Sequence, residues 1–238
     1  MKLLVLSDIH SNYVALKTIL ENERYDLIAF AGDIVDYGPN PVECIDIIRE
    51  YADHKVMGNH DAAAAYGIDC YCSYKTKDLS IETRSVITTP SLNAEDKQFL
   101  KQLPKIKQFD IDGISFTLVH ASPKDYLYDY ILPDDTEKLD DAINIIKTDF
   151  LIIGHSHHQF STTRNNVIVV NPGSIGQPRD GNPKAAYAII DTTTKRVELK
   201  RQPYDIEKVI EGLKKYKNVL KKESLERLIR ILKLGKIV

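Results

Sequence analysis

The chain has few thiols, no long apolar run and almost no net charge, and each lack excludes something. Three cysteines among 238 residues (Cys44, Cys70 and Cys72) are an odd count, which rules out a fully paired disulfide framework and suits reduced thiols. The first apolar run, Leu3 to Leu6, is too short for a signal peptide. No segment approaches the roughly 18 apolar residues of a membrane span, so a cytoplasmic location without membrane contact is expected. With 32 Lys+Arg against 34 Asp+Glu the net charge is −2, which provides no basic field for extended nucleic acid. A small, diffusible substrate is the expectation. Repeats, low-complexity tracts and Gly/Ser linkers are also missing, while 43% hydrophobic content supports a sizeable core. The expected organisation is one domain over 1–204, with a helical insert at about 62–105 and a helical extension over 205–238.

What is present is an ordered set of polar motifs at the ends of apolar runs. Leu3 to Leu6, Leu27 to Ala31, Lys55 to Met57, Ile114 to Val119 and Phe150 to Ile153 have strand length. They are followed in turn by Asp8-Ile9-His10, Gly32-Asp33, Gly58-Asn59-His60-Asp61, His120, and Gly154-His155-Ser156-His157. Helical patterns separate the first three runs, one capped by Asn12 and one opened by Pro41. Strand, helix, strand, helix, strand implies parallel neighbours whose carboxyl ends share one edge, where ligands bind. The motifs should therefore gather into one cluster.

That cluster has the chemistry of a metal site. In an extended segment alternate side chains share a face, so Asp8 and His10 are expected on one side, and His155 and His157 likewise. Asp33 has two oxygens and can bridge two ions; Asn59 offers a carbonyl oxygen and His120 a neutral imidazole. Such a thiolate-free mixture suits Mn, Fe, Ni or Zn better than Mg or Ca. Two ions roughly 3.5 to 4 Å apart can share a water, lower its pKa and clamp the oxygens of an in-line displacement at phosphorus. Taken singly, each motif is ordinary turn or cap chemistry. Yet five of the seven histidines fall on the pattern, leaving only His54, read as a surface residue, and His158, read as a partly exposed loop residue.

Asp-x-His, Gly-Asp-x-x-Asp, Gly-Asn-His-Asp, a lone His and Gly-His-x-His, in this order, resemble the metallophosphoesterase (calcineurin-like phosphoesterase) superfamily over residues 1 to about 191. The resemblance implies an α/β fold, a four-layer α/β/β/α sandwich of two mixed sheets flanked by helices. It implies one metal held by Asp8, His10, Asp33 and His157, and a second held by Asp33, Asn59, His120 and His155, with Mn favoured. His60 would contact the phosphate and protonate the leaving oxygen, with Asp36 orienting it. Protein phosphatases of the superfamily carry arginines directly after the second and third motifs; here Tyr37 and Ala62 stand there. That departure favours phosphodiester or nucleotide polyphosphate substrates over phosphomonoesters, and intact motifs disfavour a non-catalytic scaffold.

The run Asn171 to Gly181 carries three glycines and two prolines and reads as a tight loop. It resembles a loop in the branch grouped with diadenosine tetraphosphatases and small archaeal and bacterial phosphodiesterases. Arg179 could reach a substrate phosphate from it, alongside Asn59 and His60. Cys70-Tyr71-Cys72 has no nearby partner in sequence to complete a metal site. Tyr126, Tyr128 and Tyr130 could stack on a base but more often serve packing. Residues 62 to 105 are expected to shape one wall of the pocket, with Asn93 capping a helix that carries Phe99 and Leu100. Two amphipathic helices are expected in the tail, one through Ile206, Val209, Ile210 and Leu213, the other through Leu225, Leu228, Ile229 and Leu232.

Overall fold

A computed structural model describes residues 1–238. Alternation along the first strand, β1 (Lys2–Leu6), sets the layering. Leu4 and Leu6 face outward with Ile28 and Phe30 of β2 (Leu27–Phe30), against Leu16 and Ile19 of α1 (Tyr13–Asn22) and Ile45 and Ile48 of α2 (Pro41–Tyr51). Leu3 and Val5 face inward and meet Phe116, Leu118, Phe150 and Ile152 of a second sheet. That sheet's other face is covered by Leu139, Ala142 and Ile143 of α7 (Thr136–Ile145). The result is the α/β/β/α sandwich that the family resemblance implies.

Each sheet has five strands. The first runs β10 (Arg196–Gln202), β9 (Ala185–Asp191), β1, β2, β3 (His54–Lys55), with the last three parallel. The second runs β4 (Ile106–Ile111), β5 (Ile114–Val119), β6 (Phe150–Ile152), β8 (Val167–Asn171), β7 (Phe160–Arg164), with β5, β6 and β8 parallel. β3 is shorter than the apolar run suggests. After Lys55 the chain leaves the sheet, and the Met57 N–H donates to Pro104 O (2.8 Å), because it must turn into the Gly58 loop.

The insert contains α3 (Asn59–Tyr66), α4 (Lys77–Thr83), a π-helical turn over Arg84–Thr88, the one-turn α5 (Thr89–Ser91) and α6 (Ala94–Gln102), the last capped by Asn93 as expected. The two tail helices, α8 (Ile206–Lys214) and α9 (Lys222–Leu234), bury Val209, Ile210, Leu213, Leu228 and Ile231 against Tyr37, Leu79 and Ile87. Their apolar stripes thus cover the insert and the loop that carries Asp36. No helix is long and apolar enough to cross a membrane. His54 is half-buried and stacks flat on Phe109, with ring centroids 3.6 Å apart, so the surface reading of this residue was wrong. His158 is partly exposed, as expected.

Candidate active site

The loops that leave β1, β2, β3, β5 and β6 at their carboxyl ends meet at one edge, and they are not extended. Asp8, His10, Asp33, Asp36, His155 and His157 all have φ between 47° and 71°. Side-chain alternation in an extended segment therefore does not explain how Asp8 joins His10, and it fails for His155 and His157, which fall in separate groups. Left-handed turns account for both: the loops coil back on themselves, a conformation that Asp, Asn and His tolerate better than other side chains. Neighbouring backbone holds the strain in place. The N–H groups of Ile9 and His10 both donate to Asp33 O (2.8 and 3.2 Å), and Gly176 N–H donates to Asp8 O (3.0 Å). Buried Asp61 accepts from the N–H groups of Asp33, Ile34 and Gly58, tying the second motif to the third. Gly58 itself is obligatory, since a Cβ there would lie 2.0 Å from Asp33 Oδ1.

Two side-chain groups result, Asp8 with His10 and His157, and Asp33 with His120 and His155; within each, the ligand atoms lie within 4.8 Å of one another. His10 Nε2 faces His157 Nε2 at 3.2 Å, and His120 Nε2 faces His155 Nδ1 at 3.2 Å, with Asn59 Oδ1 3.0 Å from His120 Nε2. Asp33 Oδ2 sits between the groups, 3.8 Å from His10 Nε2 and 3.4 Å from His120 Nε2.

Three observations show that these residues fit cations. Asp8 Oδ1 and Asp33 Oδ2 are buried without a hydrogen-bond partner, a costly arrangement for acceptors in a dry interior. His10, His120 and His157 each turn Nδ1 to a carbonyl oxygen, of Val35, Ala31 and Gln177 respectively. A carbonyl can only accept, so Nδ1 carries the hydrogen and Nε2 presents its lone pair to the cluster. Finally, burial holds His10 down to about 3, with His155 and His157 also below their ordinary values, so these three imidazoles are neutral as ligation requires, whereas at His120 the Asp33 charge outweighs burial and raises the pKa to about 9, a negative setting that favours a cation.

His60 stands beside the cluster. Its Nδ1–H donates to Asp36 Oδ2 (2.8 Å), while Nε2 points inward, 4.0 Å from Asp33 Oδ2. Burial works against the charged imidazolium, but the Asp33 charge and the Asp36 hydrogen bond outweigh it and raise the His60 pKa. Asp36 is itself held by three side chains of the insert. Arg84 Nε and Nη2 donate to Oδ2 (3.0 and 2.5 Å), Ser80 Oγ donates to Oδ2 (3.3 Å) and Thr88 Oγ to Oδ1 (3.0 Å). Sequence reasoning missed these three, though their four-residue spacing was a usable signal. An α-helical step of four over-rotates slightly and a π-helical step under-rotates, so the π turn from Arg84 to Thr88 keeps all three on one face.

Two further expectations change. Arg179 is not the one arginine near the cluster: Arg84 also reaches this edge, its guanidinium spent on Asp36. And Cys70-Tyr71-Cys72 does find a neighbour: His60, Cys70 and Cys72 form a third compact group. Folding brings α3 back over the loop, a contact that local sequence does not reveal. Arg179 has no carboxylate partner; Nη2 donates to Gln177 Oε1 (3.0 Å), Nη1 to Tyr130 Oη (3.4 Å), and Nε is buried and unpaired. Tyr130 packs on His155, with centroids 4.2 Å apart, so one of the three tyrosines borders the cluster. Buried Tyr37 packs on His10 and His60, where an arginine would have faced the phosphate.

A family model described as the calcineurin-like phosphoesterase superfamily domain matches residues 1–195. The chain belongs to that superfamily. Membership implies divalent metal ions, and the two groups above are candidate ligand sets for them. An uncharacterised protein of Methanocaldococcus jannaschii is 36% identical over 89% of this chain and 91% of its own length. The crystal structure of a metallophosphoesterase from Sphaerobacter thermophilus superposes with a TM-score of 0.81 at 30% identity, covering 99% of both chains. More distant are phosphodiesterase YfcE of Escherichia coli (26% identity, 80% of this chain, 88% of the relative) and serine/threonine-protein phosphatase 2 of Salmonella typhimurium (26%, 71% and 86%).

Proposed function

We propose that this superfamily member hydrolyses small phosphodiesters or nucleotide polyphosphates with two divalent transition-metal ions. The observation that carries the reading is the placing of Asp33 Oδ2, unpartnered and buried, between two ligand groups. Asp8, His10, Asp33 and His157 would hold one ion, and Asp33, Asn59, His120 and His155 the other. Ions there, with Mn preferred and Fe, Ni or Zn as alternatives, supply Lewis acidity at phosphorus and a nucleophile from water at neutral pH.

The remaining steps belong to the chain. His60 directs Nε2 toward the cluster and delivers a proton to the leaving oxygen. Asp36 fixes the proton on Nδ1 and keeps the ring charged until that transfer. Arg84, Ser80 and Thr88 hold Asp36 in place, which leaves Arg84 largely neutralised as a phosphate ligand. Arg179, a cation with donors to spare, grips a non-reacting phosphate oxygen. A monoester dianion benefits from more uncommitted positive charge than this, whereas a diester carries a single charge and a poorer leaving alkoxide that needs the acid.

A phosphomonoesterase is the second reading, favoured by the Salmonella relative and disfavoured by Tyr37 and Ala62. The test is a matched panel of aryl diester, aryl monoester and dinucleoside polyphosphates with Mn-loaded protein at neutral pH. Higher kcat/KM for the diester or the dinucleotide is expected. A tenfold preference for the monoester overturns the substrate assignment.

A further inference from the structure

We propose that Cys70 and Cys72 are an oxidisable dithiol beside the active site, a modification site at which a hydroperoxide closes an intraloop disulfide and lowers turnover. The effect on turnover rests on the function proposed above; the modification itself does not. Tyr71, between the two cysteines, has a left-handed backbone (φ 48°) and is 66% exposed. It turns the chain so that both thiols point inward, packed on Ala63 of α3 with their sulfurs 2.6 Å apart. The loop is therefore at the surface while its reactive atoms meet beneath it.

The surroundings leave the two sulfurs to each other. His60 lies within the same group but gives its Nδ1–H to Asp36, and the Arg84 guanidinium is held by Asp36 and Ser80. The nearest reactive partner of each sulfur is therefore the other, at 2.6 Å. In the reaction, the sulfur of Cys72, which keeps some exposure where Cys70 has none, attacks the peroxide, the O–O bond breaks, and sulfenic acid and an alcohol or water form. The sulfur of Cys70 then displaces the sulfenic oxygen, which leaves as water, and the S–S bond closes. The two thiols lose two electrons and two protons, and the peroxide takes them up.

Two contacts carry the change inward. The Asn59 side-chain amide donates to Cys70 O (2.8 Å), which turns Asn59 Oδ1 toward His120. Ser80 Oγ lies 3.4 Å from the Cys70 sulfur and also bonds Asp36. Closing a ring across Cys70 and Cys72 shifts the Cys70 carbonyl, and with it Asn59 Oδ1 and the support of the His60 pair. Cys44, wholly buried in the core among α1 and α2 residues, with its thiol pushed well above the ordinary range by burial, stays reduced.

The test treats full-length protein with hydrogen peroxide, then measures free thiols, intact mass and hydrolysis of an aryl diester with Mn. The expected result is loss of two thiols of three, a mass lower by two hydrogens, and a fall in kcat of about tenfold or more, as for other supports of a metal site. A phosphine reductant should restore all three. Cys72→Ser should start with full activity, form no disulfide and keep its activity at the same dose. Retention of both thiols, a disulfide without loss of activity, or equal inactivation of Cys72→Ser overturns the proposal. If the reduced protein hydrolyses no phosphate ester, the proposed function fails instead, and the dithiol is then judged by thiol count and by Mn affinity, expected to weaken about tenfold on oxidation.

Discussion

Replacing Arg84 by Met removes the cation from a carboxylate that cannot reach water. Asp36 is wholly buried and the Arg84 side chain is only 11% exposed, so solvent screens their interaction little. Breaking a buried pair by deleting one partner costs about 3 to 5 kcal/mol, because the surviving charge is left uncompensated. Asp36 keeps its bonds from His60 and Thr88, which places the loss at the lower end, about 3 kcal/mol. For a chain of this size that corresponds to a fall in Tm of roughly 6 to 12 °C. The acid limb should move as well. Burial pushes the Asp36 carboxyl up, but the His60 hydrogen bond and the Arg84 charge push it down further, so its folded pKa is depressed. A depressed carboxyl contributes stability that is present above the ordinary carboxylate range and is lost as pH falls through the folded value. Without Arg84 the folded value rises, and acid unfolding begins at higher pH. Turnover should drop about 10- to 100-fold, the usual cost of losing a group that orients a functional histidine. Thermal melts across pH and kcat/KM for a diester provide the assay. Combining Arg84→Met with Asp36→Asn should cost less than the sum of the two, since Asn removes the stranded charge. A melting temperature within 2 °C of the parent, corresponding to about 1 kcal/mol or less, would refute the argument, as would strict additivity.

His60→Ala should retain both ions but lose on the order of 10²- to 10⁴-fold in turnover, the worth of a positioned general acid; a variant that drops metal or turns over normally contradicts its role. Asp33→Asn should reduce the metal content at both groups and abolish hydrolysis, and elemental analysis showing two retained ions would remove Asp33 from its shared position. Arg179→Ala should raise KM for a dinucleotide while leaving kcat nearly unchanged, as expected for uniform binding of a non-reacting phosphate; a loss confined to kcat would place Arg179 at the reacting phosphorus instead.

The parts of this molecule that could be read from sequence are those dictated by period and local chemistry. Ile114 to Val119 forms β5 with the expected bounds, Asn12 and Asn93 cap the helices they precede, and the tail stripes become buried faces. Each of these depends on residues within one element. The motif residues were also legible, because apolar runs ended at them and a topology of parallel strands collects such ends at one edge. Their geometry was less so. Alternation in extended chain placed Asp8 beside His10 for the wrong reason and paired His155 with His157 wrongly, since φ is positive at all four and the two histidines enter separate groups.

That difference bears on how the site works. An extended ligand pair is positioned by its strand, whereas a left-handed pair is positioned by whatever prevents the turn from relaxing. Here that is a set of non-local bonds: Asp33 O receiving Ile9 and His10, Asp61 receiving Asp33, Ile34 and Gly58, and the 171–181 loop donating to Ser7 O and Asp8 O. The same dependence explains why Arg84, Ser80 and Thr88 escaped notice. Their value lies in what a helix from the insert touches 44 to 52 residues away in sequence. Strain at the ligands and support from distant elements are two sides of one arrangement, for a turn that would relax alone can persist only where the rest of the fold over-determines it. Substitutions of Arg84, Ser80 or Thr88 should therefore lower turnover even though each acts through Asp36 rather than through a metal ligand, with Arg84→Met the sharpest case because a buried charge is stranded when it fails.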